Sequence, residues 1–204
     1  MKFIALNILS SRGIKVLIFL SVISCADESS LDATNSGDKS VDNIVSAVEL
    51  PKRPGVRPET TKGVPHVQID VELVSEVNKE LYRRVFSIPG IENRPSVIAG
   101  WQGMWLSNKV NLNVPDAVID GREFAHIHDD GSLHIFLEPS RSNEAVEKCW
   151  AIHHPFAIEK RTGWDGFVML YTPQSIHELN VTFQLIVDGY NYVTGQNLLA
   201  TDFY

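Results

Sequence analysis

The stretch REFAHIHDDGSLHIFLE, residues 122–138, constrains the fold of this chain more than any other. Two alternating runs flank Asp129-Asp130-Gly131, and a three-residue loop with glycine in the left-handed position of a bulged turn predicts a β-hairpin. Such a loop pairs His128 with Ser132, and therefore His126 with His134. Directly opposite residues of an antiparallel ladder project to the same face, with Cβ atoms about 5 Å apart. Counting by two places Arg122, Phe124, His126 and His128 on one face, together with His134 and Phe136 of the returning strand. The opposite face carries Ala125, Ile127, Leu133, Ile135 and Leu137, wholly apolar, and calls for helices to cover it. Glu123 shares that parity and is read as pairing with a neighbour at the sheet edge or with a backbone donor.

Covering helices are available on both sides of the hairpin. Leu73, Val77, Leu81 and Val85 recur every four residues and predict an amphipathic helix that ends before Pro89-Gly90. Ser175-Ile176-His177-Glu178 is a capping box opening a helix with the stripe Leu179, Phe183, Ile186, Val187 and Tyr190. Between them, Ser142 caps a short helix running through Glu147 to Trp150, which breaks at AIHHP, and GFVMLYTP is a further strand. VIAGWQGMWL and VNLNV are strand-like, and VPHVQIDV is a first strand or an extended lead-in. The sum is a single α+β domain over residues 63–204, an antiparallel sheet with helices packed mainly on one face.

The residues ahead of it read as an export signal and a tether. Lys2, Arg12 and Lys15 precede VLIFLSVIS, which is too short to span a bilayer but suits the apolar region of a signal peptide over residues 1–24. It ends in Val22-Ile23-Ser24-Cys25, similar to a bacterial lipobox, in which Cys25 becomes the lipidated first residue. Residues 25–62, rich in Ser, Asp, Asn and Pro, are expected to be a flexible tether. The expectation is an exported lipoprotein of the bacterial cell envelope, held to the membrane by its N-terminal lipid. With Cys25 lipidated, Cys149 has no intrachain disulfide partner and reads as a small core hydrophobe. A net charge of -7 offers no electrostatic reason to expect nucleic acid.

His126, His128 and His134 on one face leave three chemistries open. Three imidazole nitrogens can form an open metal site. Imidazole also suits acid–base work near neutrality. Alternatively, the rings simply line a sheet surface. Arg122 on the same face disfavours a dication and suits an anionic organic substrate.

The run REFAHIHDDGSLHIFL resembles the core motif of the fungal luciferase domain. The resemblance continues through VEKCWAIHHP, similar to the family's Trp-Gly-x-x-His-Pro with Ala151 in the glycine position, then GFVMLYTPQSIHEL and YNYVTG. It spans roughly residues 121–195 and extends more loosely back to about residue 66. It implies oxidation of a small hydroxylated ring compound by molecular oxygen without flavin, nucleotide or ATP, and no Gly-rich phosphate loop is present. It also adds His154 to Arg122, His126, His128 and His134. The function expected is a cofactor-independent, oxygenase-like enzyme acting on a small acidic hydroxylated aromatic or enol-type compound. One of His126, His128 and His134 would take a proton, Arg122 would hold the anion, and His154 would enter from a later loop. Two alternatives stand beside it. One is a membrane-tethered module that binds a small ligand between Trp101, Trp105, Phe124 and Phe136. The other is a zinc or iron site on His126, His128 and His134.

Overall fold

The computed structural model describes residues 49–98 and 101–204. The expected signal peptide, Cys25 and the first part of the tether lie outside these residues.

The hairpin forms in the expected register, with Ala125 opposite Ile135, His126 opposite His134 and Ile127 opposite Leu133. Its turn is closed by His128 N–H donating to Ser132 O at 2.8 Å, with Gly131 at φ +81°. The two strands, β3 (Glu123–Ile127) and β4 (Leu133–Phe136), are the middle of a six-stranded antiparallel sheet. On one side lie β2 (Gln102–Leu106) and the edge strand β1 (Ile91–Pro95). On the other lie β6 (Phe167–Leu170) and the edge strand β5 (Ala151–His153), giving the order β1-β2-β3-β4-β6-β5.

Helix α1 (Ser75–Val85) and the long helix α4 (Ile176–Thr194) cover the apolar face. Val77, Leu81 and Val85 of α1 share one core with Leu179, Phe183, Ile186, Val187 and Tyr190 of α4 and with Ala125, Ile127, Leu133 and Ile135. At Gly189, α4 comes so close to β4 that a Cβ would lie 2.7 Å from Phe136 O and 2.8 Å from Ile135 Cδ1. Only the serine half of the expected α4 capping box forms, Glu178 N–H donating to Ser175 Oγ, while the Glu178 carboxylate accepts from Gln174 N–H; Gly195 ends the helix at φ +72°. These elements form the α+β architecture expected. None of the described helices is long and apolar enough to cross a membrane.

Several local expectations are corrected. VNLNV is bends and irregular backbone rather than a strand, and among the described residues of VIAGWQGMWL only Gln102–Leu106 is strand. Leu73 lies before α1 and is 40% exposed, so the apolar stripe begins at Val77. Helix α2 spans Pro139–Glu147, starting before Ser142, because Pro139 opens the first turn and the Glu138 carboxylate accepts the N–H groups of Ser140 and Arg141. The AIHHP break is edge strand β5 followed by a short helix, α3 (Pro155–Ile158).

The end of the expected tether is seated on the domain. Leu50 is buried in the core, Arg53 pairs with Glu178 at 3.0 Å, and Trp150 Nε1–H donates to Pro51 O at 2.6 Å. Among the described residues, packing therefore already includes Leu50, ahead of the expected boundary at Gly63. Cys149, expected to have no intrachain disulfide partner, is buried and disulfide-bonded. The chain has one other cysteine, Cys25, outside the described residues.

Candidate functional site

Strand parity alone puts Arg122 with the histidines and Glu123 with the core, and a bulge reverses both. Met104 pairs with Ala125 but Trp105 pairs with Glu123, so Phe124 is the extra residue on β3. One inserted residue shifts the alternation on its far side. Phe124 consequently packs edge-on against Tyr190 of α4, on the apolar side, instead of forming a ligand wall. Glu123 turns to the histidine side, fully buried, with Oε1 3.0 Å from His126 Nδ1. Arg122 is carried away: its guanidinium donates to the carbonyls of Leu106, Ser107 and Val110 and ties down the loop after β2.

The three hairpin histidines do converge. His126 Nε2 and His128 Nε2 each lie 3.1 Å from His134 Nδ1, and all three residues are at most 3% exposed. His154 joins them as the N-cap of α3, with its ring centroid 4.8 Å from that of His134. A fifth ring, His66, was not among the expected site residues. Its Nδ1 lies 3.1 Å from His134 Nε2. Gln68 fixes the segment that carries it, exchanging two hydrogen bonds with Thr172 and donating its N–H to Asp130. No spacing rule links His66 to a hairpin 60 residues away. The only signal was the loose extension of the resemblance to that point.

The partners of these rings decide which nitrogens carry protons. Burial opposes ionisation of Glu123, but hydrogen bonds from His126, Ser96 Oγ and Val97 N–H outweigh it and hold the carboxyl below its ordinary value. An ionised Glu123 only accepts, so His126 donates from Nδ1. Ser132 Oγ–H donates to Asp130 Oδ1 at 2.7 Å, so its oxygen accepts from His128 Nδ1–H at 2.9 Å. His154 Nδ1 accepts the N–H of Phe156 at 3.2 Å, so the neutral ring carries its proton on Nε2. Burial pushes His66 and His154 down to about 4 and His128 to about 3, and lowers His134 further, so these rings stay neutral near pH 7.

Beside the cluster lies a cavity of about 370 Å³. His66, His126, His134 and His154 form its polar wall, and Ile98, Trp101, Phe156, Trp164 and Phe167 most of the rest. Trp101 lies over His128, with ring centroids 4.2 Å apart, and Trp164 stacks on His154 at 5.6 Å. Trp105 and Phe136 do not line this cavity, and His153 lines a separate surface groove.

Residues 121–187, which carry the hairpin, His154 and the start of α4, match the family model of the Luciferase domain. This segment, about a third of the chain, is similar to the luciferase-domain family. No curated protein and no solved structure matches the chain. The matched segment contains four of the clustered histidines, while His66 precedes it.

Proposed function

We propose that this luciferase-domain chain is an enzyme that oxidises a small, planar hydroxylated aromatic or enol-type compound with molecular oxygen. The observation that carries the reading is the cavity itself: aromatic walls sized for one or two rings, with a single polar wall of histidines. His66 Nε2 and His154 Nε2 have no side-chain or backbone partner among the described residues. Each can donate its Nε2–H to the oxyanion of an acidic hydroxyl group, the role expected of Arg122. An electron-rich enolate supplies both electrons for its reaction with oxygen, so the reading calls for no flavin or nucleotide.

The test is oxygen uptake by the full chain with a panel of hydroxypyranones, hydroxylated aromatics and stable enols. Binding is followed by quenching of Trp101 and Trp164 fluorescence. Saturable quenching with oxygen uptake that falls at least tenfold in His154→Ala supports the proposal. Uptake unchanged in both His154→Ala and His66→Ala refutes it. Binding without turnover, and a ligand retained in native mass spectrometry, favours the tethered binding module.

We also propose that the chain is exported and anchored by lipid at Cys25. The intact mass of chain purified from host membranes is decisive. A diacylglyceryl adduct, with Cys149 alkylatable after denaturation, supports the anchor. An unlipidated, oxidised chain refutes it.

A further inference from the structure

We infer that His126, His128 and His134 form a three-nitrogen site for one divalent transition-metal ion of the zinc or iron class. The inference goes beyond the proposed oxidation and does not depend on it.

The argument is one of proton direction. Glu123 fixes the proton of His126 on Nδ1, and the Asp130–Ser132 relay fixes that of His128 on Nδ1. Both rings therefore aim a lone pair from Nε2 at the same atom, His134 Nδ1, 3.1 Å from each. Without a metal, His134 has one N–H to offer two acceptors. With His134 protonated on Nε2, and that N–H donated to His66 Nδ1, three lone pairs face one point. Metal-bound histidines characteristically donate their other ring N–H to a carboxylate or another acceptor, and all three rings have such a partner.

The spacing agrees. The three ligand atoms lie within 4.8 Å of one another. A tetrahedral ion at about 2.05 Å from nitrogen separates its ligands by about 3.3 Å, a few tenths of an ångström more than the 3.1 Å from His134 Nδ1 to each of the other two nitrogens. Charge also closes: the Glu123 and Asp130 carboxylates, each behind a ligand, balance a dication among neutral rings. His126 and His134 line the cavity, which leaves the fourth coordination position facing it, as in catalytic rather than structural sites.

A second trio, His66, His134 and His154, has similar spacing. It fails on proton direction, because Phe156 N–H occupies His154 Nδ1 and leaves the neutral ring's proton on Nε2. Among the described residues, nothing behind His66 or His154 plays the part of Glu123.

The full chain, stripped with chelator and dialysed against Zn²⁺ or Co²⁺, should retain one equivalent. The cobalt form should show visible d–d bands of low coordination number. His154→Ala should keep the metal. His128→Ala and His134→Ala should lose it, and Glu123→Gln, which keeps the side-chain shape, should bind about 10–100-fold more weakly. Circular dichroism establishes that each variant is folded. Three results would overturn the assignment: well under one equivalent on folded wild-type chain with zinc, cobalt, iron(II) and copper alike; metal lost in His154→Ala but kept in His128→Ala; or unchanged affinity in Glu123→Gln. Metal counting needs no substrate, so its failure is distinct from a failure of the proposed oxidation.

Discussion

His66 Nδ1 lies 3.1 Å from His134 Nε2, across 68 residues of sequence. Through this contact the lead-in before α1 closes one side of the histidine cluster. A phenylalanine at position 66 keeps the ring but leaves the fully buried His134 Nε2 unpaired. His66→Phe should therefore fold, lose about 1–3 kcal/mol of stability in urea titrations, and lose oxygen uptake at least tenfold. Wild-type stability and turnover together would remove His66 from the site.

Arg122 holds three backbone carbonyls of the segment after β2 and does not line the cavity. Arg122→Met should lower stability by about 2–3 kcal/mol, since each hydrogen bond to a charged group contributes on the order of 1 kcal/mol or more. The KM of any substrate found should stay within about twofold of wild type. A KM raised more than tenfold, with stability unchanged, would return Arg122 to the substrate.

Gly189 is the point at which α4 meets β4. A methyl group there would press on Phe136 O, which as backbone cannot swing aside, and on Ile135. Gly189→Ala should cost about 1–3 kcal/mol from overpacking, against the small helix-propensity gain that alanine brings elsewhere. Equal or higher stability in thermal unfolding would show that the two elements part more easily than their packing implies.

Burial holds His66 and His154 down at about 4 against an ordinary 6.5, with His66 and His126 adding to the effect on His154. Between these values the unfolded chain binds protons that the folded chain does not, so folding weakens as pH falls. Chelator-treated chain should be most stable above about 6.5, lose stability down to about 4 and level off with respect to these two groups below that. Each ring accounts for up to about 3 kcal/mol. Urea midpoints across the window check this, and a flat profile would contradict neutral, desolvated rings.

The hairpin, the pairing of His126 with His134, the apolar face and the Ser175 N-cap of α4 were legible in sequence, because each depends on short-range periodicity and turn chemistry. The luciferase-domain resemblance was legible for the same reason: its motifs are contiguous runs. Tertiary structure alone decided the rest of the site. The bulge at Phe124 depends on how β3 meets β2, and no alternation within β3 announces it, yet it exchanges Arg122 for Glu123 at the histidines. His66 and the packing of Leu50 and Arg53 arise from contacts between segments far apart in the chain. Local pattern determines which face of a strand is apolar. The direction of a buried proton is set by whichever group lies behind the ring, and for His126 and His134 the bulge and the lead-in bring that group there only in the folded chain.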